Sequence, residues 1–110
     1  MKYLIKESQI EKIVFMYLDN KNLIVLKSET DIFFVEDKDD EYAQIRLDNN
    51  GNCFIYWKLI IEISSFFSMK NSDSQKVIGR WVENTLQTEV TYTQGVFADE
   101  NKLVGNTLQT

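Results

Sequence analysis

Residues 53–67, CFIYWKLIIEISSFF, change period in mid-run, and that change constrains the fold more than any other feature of the chain. Up to Trp57 the residues alternate. Cys53, Ile55 and Trp57 fall on one side and Phe54 and Tyr56 on the other, the pattern of a strand in a sheet. From Lys58 onward, Leu59, Ile60, Ile63, Phe66 and Phe67 stand at i, i+1, i+4, i+7 and i+8, which lines up one helix face. A strand therefore passes directly into a helix, and Cys53, Ile55 and Trp57 are expected to pack beneath the helical set. The run is too short for a membrane span, which takes about 20 apolar residues, and Lys58 and Glu62 interrupt it. It reads as the core of a soluble domain.

The strand before this junction has a partner written next to it. Asp48-Asn49-Asn50-Gly51-Asn52 is hairpin chemistry, and Asn50-Gly51 suits the positive φ angles of a type I′ turn. Ahead of it, residues 41–47 alternate, with Ala43, Ile45 and Leu47 on one side and Tyr42, Gln44 and Arg46 on the other. This is the signature of a sheet with one wet face. Two further β-rich runs, Leu23-Ile24-Val25-Leu26 and Ile32-Phe33-Phe34-Val35, are separated by a polar turn. Residues 23–57 are thus expected to form a four-stranded antiparallel meander.

Helices flank the meander in the sequence. Ser8-Gln9-Ile10-Glu11 has the form of a capping box, and Ile10, Ile13, Val14, Tyr17 and Leu18 share one face of a helix ending near Asp19. Phe15 and Met16 widen that stripe beyond one packed face and are free to touch a second surface. Tyr3, Leu4 and Ile5 form a short candidate edge strand before it. After residues 58–67, Ser72 to Gln75 or Asp73 can start another helix, with Val77, Ile78, Trp81, Val82 and Leu86 on its buried face. Gly79 within it costs about 1 kcal/mol relative to Ala, which points to close packing under a neighbour. Glu89-Val90-Thr91-Tyr92-Thr93 alternates and can add a fifth strand. The polar remainder, 94–110, is expected to be a loosely ordered tail. Within it, Asn106-Thr107-Leu108-Gln109-Thr110 repeats Asn84-Thr85-Leu86-Gln87-Thr88, one copy and far short of a solenoid.

At 110 residues, with 44% hydrophobic and 26% charged residues, the chain suits one globular domain, residues 1–93, with the tail behind it. The fold class is α+β: an N-terminal helix, the meander, and two C-terminal helices packed on one sheet face. The start lacks a signal-peptide pattern, so a cytoplasmic location is expected. Cys53 is the single cysteine and has no histidine to activate it, so its reading is a small buried hydrophobe.

The chemistry-bearing residues form no specific motif. No histidine is present, and the four glycines make neither a dinucleotide nor a P-loop pattern. Asp37-Lys38-Asp39-Asp40-Glu41 resembles the start of a calcium loop, but Tyr42 stands where the loop needs glycine and Asp48 where it needs glutamate. Its reading is a solvated turn. No catalytic residue, metal ligand or cofactor is expected, and the chain is read as a non-enzyme; a catalytic alternative would need a cleft uniting Glu62, Glu83 or the acidic turn. Charge is uneven: residues 29–48 hold eight acids against two bases, leaving the rest of the chain at +1 of a total of −5. A helix-turn-helix reading of 58–88, with Gln75, Lys76 and Arg80 near the start of the second helix, lacks the basic face that such modules carry. Nucleic acid is therefore disfavoured, and it remains the alternative function through residues 72–88. The favoured sites are surface aromatics: Tyr42, Phe54 and Tyr56 on the uncovered sheet face, and Phe15, as an interaction surface for a protein partner or for self-association.

Across Glu7-Ser8-Gln9-Ile10, Val14-Phe15-Met16-Tyr17-Leu18-Asp19-Asn20, Asp40-Glu41-Tyr42-Ala43-Gln44-Ile45-Arg46, Glu62-Ile63-Ser64-Ser65-Phe66-Phe67 and Gly79-Arg80-Trp81-Val82-Glu83, the chain resembles small uncharacterised proteins encoded by tailed phages of marine bacteria. The likeness spans residues 4–92. It implies a viral setting, the host cytoplasm as location, and no assigned activity.

Overall fold

The computed structural model describes residues 7–103 and 108–109. In chain order these are α1 (Glu7–Asn20), β1 (Ile24–Lys27), β2 (Ile32–Val35), β3 (Ile45–Leu47), β4 (Asn52–Tyr56), α2 (Trp57–Phe67), α3 (Asn71–Leu86), β5 (Tyr92–Val96), a 3-10 turn (Ala98–Asn101) and β6 (Leu108–Gln109). The sheet order is β5-β4-β3-β2-β1-β6. The first four strands form the expected meander, every neighbour antiparallel. β5 joins the far side of β4 in parallel, which the α2–α3 crossover makes possible, and β6 adds two residues to β1. The candidate strand at Tyr3-Leu4-Ile5 lies outside the described residues, as does most of the second Asn-Thr-Leu-Gln-Thr copy.

The three helices cover one face of the sheet. Val14 and Leu18 of α1, Leu59, Ile60 and Ile63 of α2, and Val77, Ile78, Trp81 and Val82 of α3 bury against Phe34, Ile45, Leu47, Cys53 and Ile55. Trp81 sits at the centre, its ring 5.2 Å from that of Phe34 and its indole N–H donating to Asp19 at 2.9 Å. The indole nitrogen thus keeps a partner while its ring leaves water. Cys53 belongs to this core, and burial pushes its thiol up to about 12, so it is no nucleophile at neutral pH.

Several local expectations change. Glu7 and Ser8 already lie in α1, so the helix begins before the capping box; α3 begins at Asn71 behind Lys70, with no side-chain cap. Trp57 opens α2 instead of ending β4. At the hairpin only Gly51 takes a positive φ, +85°, so the turn is not type I′. Gly51 N–H returns to Asp48 O, Asp48 N–H pairs with Asn52 O, and the Asp48 carboxylate accepts from the Asn50 and Asn52 amides. That is a three-residue loop closed by a left-handed glycine.

The third strand also breaks its alternation. Phe34 is the register partner of Ile45, yet its carbonyl also accepts the Gln44 N–H at 2.8 Å, so two residues face one. Such a bulge reverses the side-chain phase. Ala43 therefore packs with Leu26, Phe33 and Val35 on the second face, not with Ile45 and Leu47. Finally, residues 94–103, placed by the sequence in a loose tail, are part of the fold. β5 runs to Val96, Asn101 is fully buried, and Leu103 joins the Ala43 cluster.

Candidate interaction surface

The four aromatics singled out from the sequence are not brought together. Phe54 and Tyr56 do share the second sheet face, but both are half-buried there. The Arg46 guanidinium lies 4.2 Å from the centre of the Phe54 ring and pairs with Asp31 at 3.0 Å. The segment 97–103, a strap that follows β5, crosses the same region. Asn101 donates from Nδ2 to Phe54 O at 2.9 Å, Ala43 N–H donates to Asn101 O, and Leu103 N–H donates to Glu41 O. Tyr42 stands at the margin, bridged to Lys102 and 39% exposed. Phe15 is on the opposite layer, half-buried beside Arg80 and Glu83. The strap fills much of the face the sequence left open.

Exposed large apolar side chains are spread over the described residues, Ile61, Tyr92 and Phe97 among them, and several of them stand where α1 meets α2. Ile13 and Met16 are one turn apart on α1 and are 47% and 60% exposed; Phe66, in the last turn of α2, is 67% exposed. Tyr17 joins them, since it follows Ile13 by four residues and its ring centre is 5.0 Å from that of Phe66. Phe67 closes the cluster from inside, 5.5 Å from Tyr17 and edge-on to it. The sequence assigned Ile13 and Phe66 to the buried faces of their helices. Both lie at the edge of their stripe, where helix orientation decides between core and solvent. The legible signal was the excess width of the α1 stripe at Met16.

Below the rings is a small polar lock. Glu62 accepts hydrogen bonds from the Tyr17 hydroxyl and from Lys21 Nζ, the latter at 2.7 Å. Partial burial works to raise the Glu62 carboxyl, but the bonds from Lys21 and Tyr17 and the Lys21 charge outweigh it and hold the group below its usual range. The Glu62 bond, then burial, then the nearby negative charge push Tyr17 up to about 12. These interactions tie α1 to α2 beside Phe66.

The other candidates are tied down locally. Asp37 Oδ1 accepts from the Asp39 amide and Asp40 Oδ2 from the Asp37 amide, so the acidic turn uses its carboxylates to hold its own backbone. Among the described residues, no group of three Asp, Glu or Cys side chains is placed to hold a metal ion. Glu62 and Glu83 engage different partners: Glu83 accepts the Val90 amide at 2.9 Å. In α3, Ser74, Val77, Ile78, Gly79, Trp81 and Val82 are all buried, and Arg80 pairs with Glu11 at 2.8 Å. Among the described residues no helix is long and apolar enough to cross a membrane. Neither the protein-family models, the curated proteins nor the solved structures give a match to this chain.

Proposed function

We propose that the chain is a non-enzymatic protein-interaction module whose contact surface is the α1–α2 patch of Ile13, Met16, Tyr17 and Phe66. One observation carries this reading: Ile13 and Met16 of α1 and Phe66 of α2 are each about half exposed or more, and Tyr17, one turn from Ile13, stacks near Phe66 and is bonded to Glu62. Side chains of this kind, clustered beside charged residues, are the usual centre of a protein–protein contact. The viral setting follows from the sequence resemblance alone, and with it the infected-cell cytoplasm as the place of action. The nucleic-acid alternative through residues 72–88 draws less support, because one face of α3 is buried in the core and Arg80 is engaged by Glu11.

The test compares wild type with Met16→Glu/Phe66→Glu as immobilised bait. The double variant is expected to unfold at the same denaturant concentration as wild type and to lose at least tenfold in affinity for whichever protein the wild type retains. Equal retention by both proteins would remove the patch from consideration.

A further inference from the structure

β5 stands at the edge of the sheet, and its outer side is unlike that of β1, which already takes Leu108–Gln109. Tyr56 N–H donates to Gln44 O, so the even residues of β4 bond toward β3 and Cys53 and Ile55 bond toward β5. With Cys53 opposite Thr93 and Ile55 opposite Gly95, the parallel ladder engages the backbone of Tyr92, Gln94 and Val96. The Tyr92 N–H accordingly reaches Gly51 O. The amides and carbonyls of Thr93 and Gly95 point away from the sheet. The strand itself carries no guard: YTQGV has no lysine, acid or proline, and its register with β4 runs without a bulge. A groove of about 170 Å³ runs beside it under α3, between Lys76, Gly79 and Glu83 on one wall and Thr91 to Thr93 on the other.

A row of outward donors and acceptors with no partner strand among the described residues specifies what it binds, namely an extended strand. The sequence of β5 supplies that strand itself. We propose that two copies of this chain associate by antiparallel pairing of their β5 edges about Gln94, giving one continuous sheet. In that register Thr93 lies opposite Gly95 of the second copy and Gly95 opposite its Thr93, so both outward-pointing residues exchange both backbone bonds. Tyr92, 54% exposed, lies opposite Val96 of the second copy, whose side chain is already covered within its own chain at 3% exposure, so the backbone exchange at Thr93 and Gly95 carries the pairing. Gln94, exposed, meets its own counterpart. The α1–α2 patch takes no part, so this inference stands apart from the proposed function.

The register makes a charge test specific. Gln94→Lys and Gln94→Glu each place like charges across the two-fold, whereas an equimolar mixture places opposite ones there. Size-exclusion chromatography with light scattering over a concentration series is expected to show wild type reaching twice the chain mass. Each variant alone should stay at the single-chain mass, and the mixture should return to twice it. Thr93→Pro, which removes an outward amide without touching the ladder to β4, should also hold the chain at single mass with its circular dichroism unchanged. A wild type that is monomeric throughout overturns the proposal, as do charge variants that dimerise like wild type. A dimer lost in Phe66→Glu but kept in the Gln94 variants overturns it too, assigning self-association to the helical patch.

Discussion

Gly95 shows how tightly single positions are set in this chain. Its φ is not in the left-handed region, so an alanine there would meet no backbone strain. An added Cβ would stand 2.7 Å from Cε2 of Trp57 and 3.0 Å from Cδ1 of Ile60, both held by the core. Gly95→Ala is therefore expected to destabilise by about 1–3 kcal/mol despite the lower entropy of its unfolded chain. The urea midpoint measures it, and an unchanged midpoint would mean that Trp57 moves aside without cost. The Tyr17–Glu62 pair is the second residue-scale case. Glu62 is depressed in the fold, so its contribution is present above the unfolded carboxylate range and is lost as pH falls through the folded value. Tyr17 is raised to about 12, so its contribution is complete below the unfolded tyrosine value of 10.0 and is lost as pH rises through about 12. Glu62→Gln should flatten the acid limb of stability against pH, and in ultraviolet titration one tyrosine step should move down toward 10.0. An unmoved step would show that Tyr17 ionises independently of Glu62.

Between elements, the α2–α3 contact turns on one buried polar pair. Ser64 and Ser74 share a hydrogen bond of 2.7 Å at 9% and 0% exposure. Replacing either serine by alanine strands the other hydroxyl and should cost about 1–2 kcal/mol, whereas the double variant should cost clearly less than the two losses together. Additive losses, measured by chemical unfolding, would show that the hydroxyls act separately. The elements themselves were legible in the sequence because each has its own period: alternation at Cys53 to Tyr56, then 3.6 from Leu59. What joins them was less so. The bulge at Gln44–Ile45 depends on which carbonyl lies opposite, and it alone moves Ala43 across the sheet. β5 was recognisable as a strand, but residues 89–93 carry no sign of parallel pairing, and the register set its bounds at Tyr92–Val96. The strap was missed because its burial rests on a polar residue, Asn101, whose Nδ2 donates to the main-chain carbonyl of Phe54, rather than on an apolar pattern. Of the candidate site, the surplus at Met16 was readable, while Ile13 and Phe66 needed the helix orientations.

At the scale of the whole molecule, the strands divide by when their partners arrive. β1 to β4 follow one another as antiparallel neighbours, joined within the segment 24–56, and their inner faces are sealed by three helices. β5 pairs with β4 only after α2 and α3 have crossed the sheet, and it offers one side of its backbone to water. Local stability should follow that division, because amides open either with the whole fold or by themselves. Hydrogen exchange is expected to show the Gln44 and Tyr56 amides, bonded at 2.8 and 2.9 Å beside the fully buried Ile45 and Ile55, slow to the limit of global unfolding. The Thr93 and Gly95 amides, aimed away from β4, should exchange orders of magnitude faster in dilute protein. As concentration rises, pairing of the β5 edges should slow these two amides while leaving Gln44 and Tyr56 unchanged. Thr93 and Gly95 exchanging as slowly as Tyr56 in dilute protein would show that their backbone is already bonded within the single chain, and that the sheet has no open side there.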